Sequence, residues 1–171
     1  MNNIGKILVS LVILSVIIIP TGHYLTLNRD EAVMADCIIG LNCSGDISTS
    51  SLFYLNVTLE PHVPCAGVQF SIKYTPELTD IMVILPGELF PPGNSYINYG
   101  DIDKANGFIE DIALVCLNRT IDYNGTIAYL VFVIKEPGEI SFTISDVIIG
   151  DAGGMELDTV IKNKTIILEV G

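Results

Sequence analysis

The sequence feature that most constrains the fold is the alternation of apolar and polar residues from 68 to 74. Gln69, Ser71 and Lys73 alternate there with apolar side chains, which is the period-two pattern of a strand with one buried and one wetted face. The apolar positions are Val68, Phe70, Ile72 and Tyr74. Pro76 ends the pattern, because proline has no amide proton to donate to a ladder of hydrogen bonds. The stretch therefore predicts a central strand whose two faces differ in polarity.

The composition extends this prediction to the rest of the chain. Half of the residues are apolar and only 16% are charged, so the chain can bury a sizeable core and is not disordered throughout. Isoleucine, valine, threonine and tyrosine recur in short runs separated by glycine and proline, which favours strands over helices. After an N-terminal targeting segment there is room for one domain of about 135 residues. The predicted class is all-β.

Further strands follow one another at short intervals, as in a meander that leads to a sandwich. The predicted strands are residues 53–59, 108–117, 127–135, 140–144 and 165–170. The third of these is apolar on both parities, so its pattern alone does not say which side faces the core. A long polar loop is expected between residues 93 and 107.

The charge balance bears on possible partners. Twenty acidic residues against eight basic ones give a net charge of -12, and such a field repels the phosphate backbone of nucleic acids. We therefore expect no nucleic-acid partner, and we interpret the acidic surface chiefly as a means of solubility.

The usual catalytic motifs are absent from the sequence. It contains two histidines, no G-x-S-x-G motif, no P-loop and no glycine-rich dinucleotide turn. Glu110 and Asp111 are adjacent in a predicted strand, where neighbouring side chains point to opposite faces, so they are not expected to act together as acid and base. The sequence predicts a protein that is not an enzyme and needs no cofactor.

One acidic stretch superficially suggests a calcium loop. It contains Asp101, Asp103, Asn106 and Gly107, but Ile112 stands where an EF-hand requires its glutamate ligand. A turn without a bound metal is the better interpretation.

The first 35 residues have the layout of a secretory signal. A single lysine precedes an apolar run at residues 7–19, and the run is shorter than the roughly 20 residues that a spanning helix needs. Val33, Met34 and Ala35 fit the small-residue rule for cleavage, although they lie far from the apolar run. A cleaved signal and an uncleaved membrane anchor both remain open, and the folded domain is expected at residues 36–171.

The cysteines and the sequons both point to export. Four cysteines without a C-x-x-C pair predict two disulfides rather than a metal site. Five asparagines begin an N-x-S/T sequon and are candidate glycosylation sites, of which we expect two or three to be used. They are Asn42, Asn56, Asn118, Asn124 and Asn163. We expect a secreted or cell-surface glycoprotein, attached to a membrane only if its N-terminal segment is retained.

The string AGVQFSIKYTPEL, followed by GELF, resembles the third strand of cohesin modules. Thr75 replaces the aspartate of the usual Tyr-Asp-Pro ending. The resemblance extends from about residue 37 to 170 and includes NGFIEDIALV, GTIAYLVFVIK and ISDVIIGDAGGMEL. It implies a jelly-roll β-sandwich of about nine strands, whose family role is to bind a dockerin domain on another secreted protein. It also implies that Ala128, Leu130, Phe132 and Ile134 face the core.

The cohesin-like strand order further implies a disulfide pairing and a binding face. It sets Cys65 beside Cys116 as a disulfide and leaves Cys37 and Cys43 to close a small loop. The outer face of the same sheet then becomes the expected partner-binding surface, with Ala113, Val115 and Leu117 pointing inward. Its expected residues are Gln69, Ser71, Lys73, Glu110, Ile112, Leu114, Ser141, Thr143 and Ser145.

Two other functions are compatible with the sequence. Some carbohydrate-binding modules share this sandwich architecture, and Tyr96, Tyr99 and Tyr123 lie in predicted loops where they can contact a polysaccharide, although the chain has no tryptophan. A structural subunit of a cell-surface layer or filament is also compatible with the N-terminal segment and the sequons.

Overall fold

The computed structural model of the protein describes residues 35–44 and 52–167. These residues belong to one compact unit, which spans Met34–Gly171. The predicted targeting segment, apart from Ala35, and the last three residues of the predicted closing strand lie outside the described residues. No helix in the described ranges is long and apolar enough to cross a bilayer.

The described residues form an all-β fold. Its strands are β1 (Cys37–Ser44), β2 (Leu52–Pro61), β3 (Gly67–Tyr74), β4 (Thr79–Pro86), β5 (Ser95–Asn98), β6 (Asp101–Asp103), β7 (Phe108–Cys116), β8 (Gly125–Ile134), β9 (Glu139–Gly150), β10 (Thr159–Lys162) and β11 (Lys164–Ile167).

The strands form two sheets. The first sheet has the order β10-β1-β2-β8-β4, and the second has the order β11-β9-β3-β7-β5 with β6 also paired to β7. Strands β1 and β10 pair in parallel, and the other pairs are antiparallel. The predicted all-β sandwich is confirmed. The predicted central strand, β3, lies between β9 and β7 in the second sheet.

The described residues form eleven strands instead of the expected nine. The predicted polar loop at residues 93–107 contains β5 and β6, and β10 precedes the closing strand. Each of these strands has only three or four residues, which is too short for an alternating pattern to be recognised. They form because β7 and β1 offer free backbone groups along their edges.

The core lies between the sheets. The inward positions that the alternation predicted in β2, β3 and β9 are buried, and so are the four residues of β8 that the cohesin resemblance placed in the core. At the centre, the ring of Phe132 packs against three other aromatic rings, with centroid distances of 5.7 Å to Phe53, 5.1 Å to Tyr74 and 5.1 Å to Phe142. These rings come from both sheets, so the aromatic cluster joins the two layers.

The GELF motif fastens the chain after β4 to β8. Leu89 and Phe90 are buried, whereas the exposed Glu88 accepts hydrogen bonds from the backbone amide of Thr126 at 2.6 Å and from the Tyr129 hydroxyl at 2.8 Å. Desolvation acts to raise the pKa of Glu88, but these hydrogen bonds to the charged carboxylate outweigh it and the pKa is lowered.

Glu88→Gln is expected to lower the free energy of unfolding at pH 7 by about 1 kcal/mol, a modest amount because the carboxylate is exposed. A lowered folded-state pKa contributes stability that is present above the unfolded value of 4.5 and is lost as the pH falls through the folded value. The wild type and the variant should therefore converge in acid. Urea unfolding between pH 7 and pH 3 measures this difference, and a constant gap over that range would contradict the assignment.

Candidate functional site

The candidate site is the outer face of the second sheet, meaning the side of β11-β9-β3-β7-β5 that points away from the core. The strand register fixes its rows. Gln69 on β3 lies between Ala113 on β7 and Ile148 on β9, and Lys73 lies between Phe108 and Thr143. The central strand thus brings residues of three strands together on one surface.

Six of the sequence-predicted partner-binding residues lie on this outer face. Four of them are exposed, and Gln69 and Ser145 are partly exposed. The four exposed residues are Lys73, Glu110, Ser141 and Thr143. The strands β3, β7 and β9 therefore meet as the cohesin resemblance implied.

The predicted orientation of β7 is wrong. Ile112 and Leu114 are each 1% exposed and lie in the core, whereas Val115 is 41% exposed and points outward together with Leu117 and Ala113.

The wrong orientation came from the assumption that the alternation of buried and exposed side chains continues from Cys65 into β3. Cys65 is instead fully buried in an isolated bridge to Ile121 outside β3, and the amide of Cys116 donates to the carbonyl of Ala66 rather than pairing with Cys65. The alternation breaks before β3 begins, so the face of Cys65 does not predict the face of Gln69.

Two β-bulges flank the centre of β3. The register of β3 with β7 shifts between Phe70 and Ile72, and its register with β9 shifts between Gln69 and Ser71. At these shifts Asp111 on β7 and Asp146 on β9 have left-handed backbones, with φ of 57° and 51°. An L-residue in this region costs on the order of 1 kcal/mol, and bulges of this kind are frequent beside functional sites.

The β7 bulge explains two further differences from expectation. Glu110 and Asp111 are both exposed on the outer face instead of pointing to opposite sides, because the extra residue interrupts the alternation. The side chain of Ser71 is nearly buried beneath the bulge, where its hydroxyl accepts a hydrogen bond of 3.4 Å from the amide of Asp111. Ser71 therefore supports the face but contributes little of its surface.

Side chains around the bulges hold them in place. The side-chain amide of Gln69 donates to the carboxylate of Asp111 at 3.1 Å. The side-chain amide of Asn98 donates to the backbone carbonyl of Asp111 at 3.2 Å. On the other side, the Ser145 hydroxyl donates to the carboxylate of Asp146 at 2.9 Å. These hydrogen bonds hold Asp111 and Asp146 in place on either side of the central strand β3.

The face is apolar at one end and acidic at its centre. Tyr96 on β5 is exposed beside Val115, and Leu117 and Ile148 add exposed apolar surface. Tyr96 thus lies in a strand of this face rather than in the predicted loop. Glu110, Asp111 and Asp146 are the exposed acidic residues at the two bulges, Asp101 and Asp103 add acidic surface on β6, and Glu139 is exposed at the start of β9. Within the described ranges, no group of histidine, cysteine and carboxylate side chains is arranged to hold a metal ion.

Sequence reasoning missed the bulge aspartates, although a signal for them is present. In Ile-Glu-Asp-Ile at residues 109–112 and Ile-Ser-Asp-Val at residues 144–147, two consecutive polar residues interrupt an alternating strand. Such a pair adds one residue to the polar face and is the pattern that a bulge produces.

The stretch with Asp103 forms a turn, as predicted. The Asp103 carboxylate accepts hydrogen bonds from the amides of Ala105 and Asn106, each at 3.1 Å, and from the Asn106 side chain at 2.6 Å. The hydrogen bonds from Asn106 hold the pKa of Asp103 below its usual value. The carboxylate thereby closes the hairpin between β6 and β7.

The sequon asparagines occupy different regions. Asn42 and Asn56 are cross-strand partners in the first sheet, away from the candidate site. Asn118 and Asn124 lie in the connection between β7 and β8 and are exposed. Asn163, between β10 and β11, accepts a hydrogen bond of 2.8 Å from the amide of Ile144 through its side-chain oxygen.

The predicted bridge between Cys37 and Cys43 is inconsistent with the structure. Both residues belong to β1, and six extended residues place their Cα atoms about 20 Å apart, far beyond disulfide reach. The four cysteines are present as thiols in the structure.

Comparison with protein-family models gave no match, and no curated protein matches the chain. Comparison with solved structures did find similar folds. One is the non-cellulosomal cohesin of the hyperthermophilic archaeon Archaeoglobus fulgidus, with a TM-score of 0.64 at 18% identity over 77% of this chain and 89% of that chain.

Two cohesins of Acetivibrio cellulolyticus are also similar. A type II cohesin domain from its cellulosome has a TM-score of 0.66 at 13% identity, covering 76% of this chain and 94% of that chain. The sixth cohesin of its scaffoldin B, solved in complex with a Cel5 dockerin, has a TM-score of 0.62 at 18% identity, covering 78% and 99%. The protein therefore has the fold of a cohesin module.

Proposed function

We propose that the protein is a non-catalytic protein-binding module that binds a dockerin-like partner through the outer face of the second sheet. The observation that carries this proposal is the division of that face into an exposed apolar end around Val115 and an acidic centre built on two bulges. The cohesin fold supports the same function, since one similar cohesin was solved with a dockerin bound.

The chemistry of the face specifies the kind of partner. An apolar patch ringed by polar groups excludes water at its centre and forms hydrogen bonds at its rim, as protein interfaces do. The acidic centre favours a partner whose apolar residues are flanked by lysine or arginine, and it speeds association at low salt. The hydroxyl groups of Ser141 and Thr143, together with Lys73, supply polar contacts beyond that centre.

Export to the cell exterior is part of the proposal. A dockerin-like partner on another secreted protein requires that this domain be secreted or displayed on the cell surface. We propose that Asn118 and Asn124 are glycosylated, because both are exposed in a connection between strands. Asn42 and Asn56 are directly opposite one another, so we expect at most one of them to bear a glycan.

Val115→Asp is expected to weaken binding to the partner by about 30-fold or more, because Val115 lies in the apolar part of the face, where a hot-spot residue contributes about 2 kcal/mol or more and a carboxylate would lose its solvation. Binding can be measured by calorimetry against purified dockerin domains encoded by the source organism. The matched control is Val83→Asp, a valine of the first sheet that is 43% exposed, and this variant should bind like the wild type.

A second variant tests the acidic centre. Glu110→Lys should weaken binding most at low salt, since the lost attraction is screened as the ionic strength rises. Binding that survives both changes on the second sheet but is lost with Val83→Asp would place the interface on the first sheet. Failure of every dockerin domain of that organism to bind the wild type would contradict the proposed function itself.

A further inference from the structure

Three of the four cysteines converge in the core at the junction of the two sheets. Cys37 and Cys65 are fully buried, and Cys116 is buried beside them. Cys37 belongs to β1 of the first sheet, whereas Cys116 ends β7 of the second sheet. Only Cys43, at the other end of β1, is separate from this group.

The backbone around Cys65 explains how it reaches Cys37. The carbonyl of Asp36 accepts hydrogen bonds from the amides of His62 at 2.7 Å and Val63 at 3.3 Å, so the chain after β2 folds back over the start of β1. Cys65 then pairs with Ile121, with N to O distances of 2.9 and 2.7 Å in the two directions. Cys65 is thus held next to Cys37 while its own backbone leads into the second sheet.

The surroundings of the thiols distinguish the two possible partners of Cys65. The thiol of Cys116 lies 3.9 Å from the carbonyl oxygen of Leu89, to which it donates. The thiols of Cys37 and Cys65 each affect the pKa of the other, and Cys37 acts on Cys65 more strongly than Cys116 does. We propose that Cys37 and Cys65 form a disulfide that joins the two sheets, and that Cys116 remains a buried thiol.

The chemistry of this bond is ordinary thiol–disulfide exchange. The thiolate of one cysteine attacks an oxidised small disulfide, such as that of glutathione, and releases one reduced thiol. The second cysteine then attacks the resulting mixed disulfide and releases the other thiol. Two electrons pass to the oxidant, and the two protons of Cys37 and Cys65 end on the released thiols.

Burial determines when the bond can form. It raises the pKa of Cys37 to about 11 and that of Cys65 to about 12, so the reactive thiolate is scarce in the folded protein at neutral pH. Oxidation is therefore expected during folding, before the core closes. The bond closes a loop of about 30 residues and should raise the thermal midpoint by about 10 °C.

Disulfide mapping of the full chain tests this proposal. The chain is refolded in a glutathione redox buffer, alkylated, and digested without reduction by chymotrypsin, which can cut at Leu41 and Tyr54 and so separates Cys37, Cys43 and Cys65. A linked pair of peptides containing Cys37 and Cys65, with Cys116 recovered as a thiol, is the expected result. A link from Cys116 to either partner, or no link at all, would overturn the proposal.

Thermal melting of variants provides an independent readout. Cys37→Ser and Cys65→Ser should each abolish the difference in midpoint between oxidised and reduced protein. Cys116→Ser and the control Cys43→Ser should retain it. If Cys116→Ser abolished the difference while Cys37→Ser did not, the bridge would join Cys65 to Cys116. This test does not involve the partner, so its failure leaves the proposed binding function unaffected.

Discussion

Replacing Phe132 with alanine is expected to lower the free energy of unfolding by about 3 to 5 kcal/mol, enough to unfold much of a marginally stable domain. The Phe132 ring is fully buried and packs within 6 Å, centroid to centroid, of the rings of Phe53, Tyr74 and Phe142. Alanine would remove apolar contact with both sheets and leave a cavity that surrounding strands, held by their ladders, cannot easily fill.

Chemical denaturation monitored by circular dichroism measures the loss at Phe132. Tyr96→Ala is a suitable control, because this aromatic ring is exposed on the edge strand β5 and its removal should change stability by no more than about 0.5 kcal/mol. Similar losses in the two variants would mean that the aromatic cluster does not hold the layers together.

The parts of the fold that the sequence predicts are those in which one interaction dominates. Strands β2, β3 and β9 each bury one face, and the hydrophobic effect imposes a period of two that is visible in the residues. Strand β8 is buried on much of both faces, so its orientation had to come from the cohesin resemblance. That orientation is confirmed, since Ala128, Leu130, Phe132 and Ile134 all lie in the core.

The parts that the sequence did not predict depend on tertiary pairing. The position of Cys65 is set by its hydrogen bonds to Ile121 and not by continuation of β3, so an alternation carried through it assigned the wrong face to β7. The edge strands β5 and β6 exist because β7 pairs with them. In the candidate site, the polar pairs at residues 110–111 and 145–146 indicate the two bulges. The sequence alone does not show that both pairs lie beside β3 and therefore belong to one surface.

The corner between β5 and β6 shows how the outer face of the second sheet is kept in shape. Gly100 has a φ of 74°, and a Cβ atom built on it would lie 2.0 Å from the carbonyl oxygen of Glu110. The amide of Gly100 also donates to the side chain of Asn98, which in turn donates to the carbonyl of Asp111. The absence of a side chain at residue 100 therefore lets this corner pack directly against the β7 bulge.

Gly100→Ala is expected to lower the free energy of unfolding by about 2 to 4 kcal/mol, because an L side chain is disfavoured at this φ and the clash with a backbone carbonyl forces the bulge to move. Gly93→Ala is the matched control. Its φ is 89°, but no atom lies within 4 Å of the added Cβ, so only the backbone penalty of about 1 kcal/mol remains.

Gly100→Ala and Gly93→Ala also separate an effect on stability from an effect on binding of the proposed partner. Because Gly100 packs on the strand residues that bear Glu110 and Asp111, its substitution should weaken partner binding beyond the loss explained by unfolding, whereas Gly93→Ala should leave affinity unchanged. The affinities of the two variants for the partner should be compared well below both melting temperatures, because the folded fraction is then the same in each variant. Equal affinities would show that binding does not depend on the geometry of the β7 bulge. The partner would then have to contact the apolar end of the face around Val115.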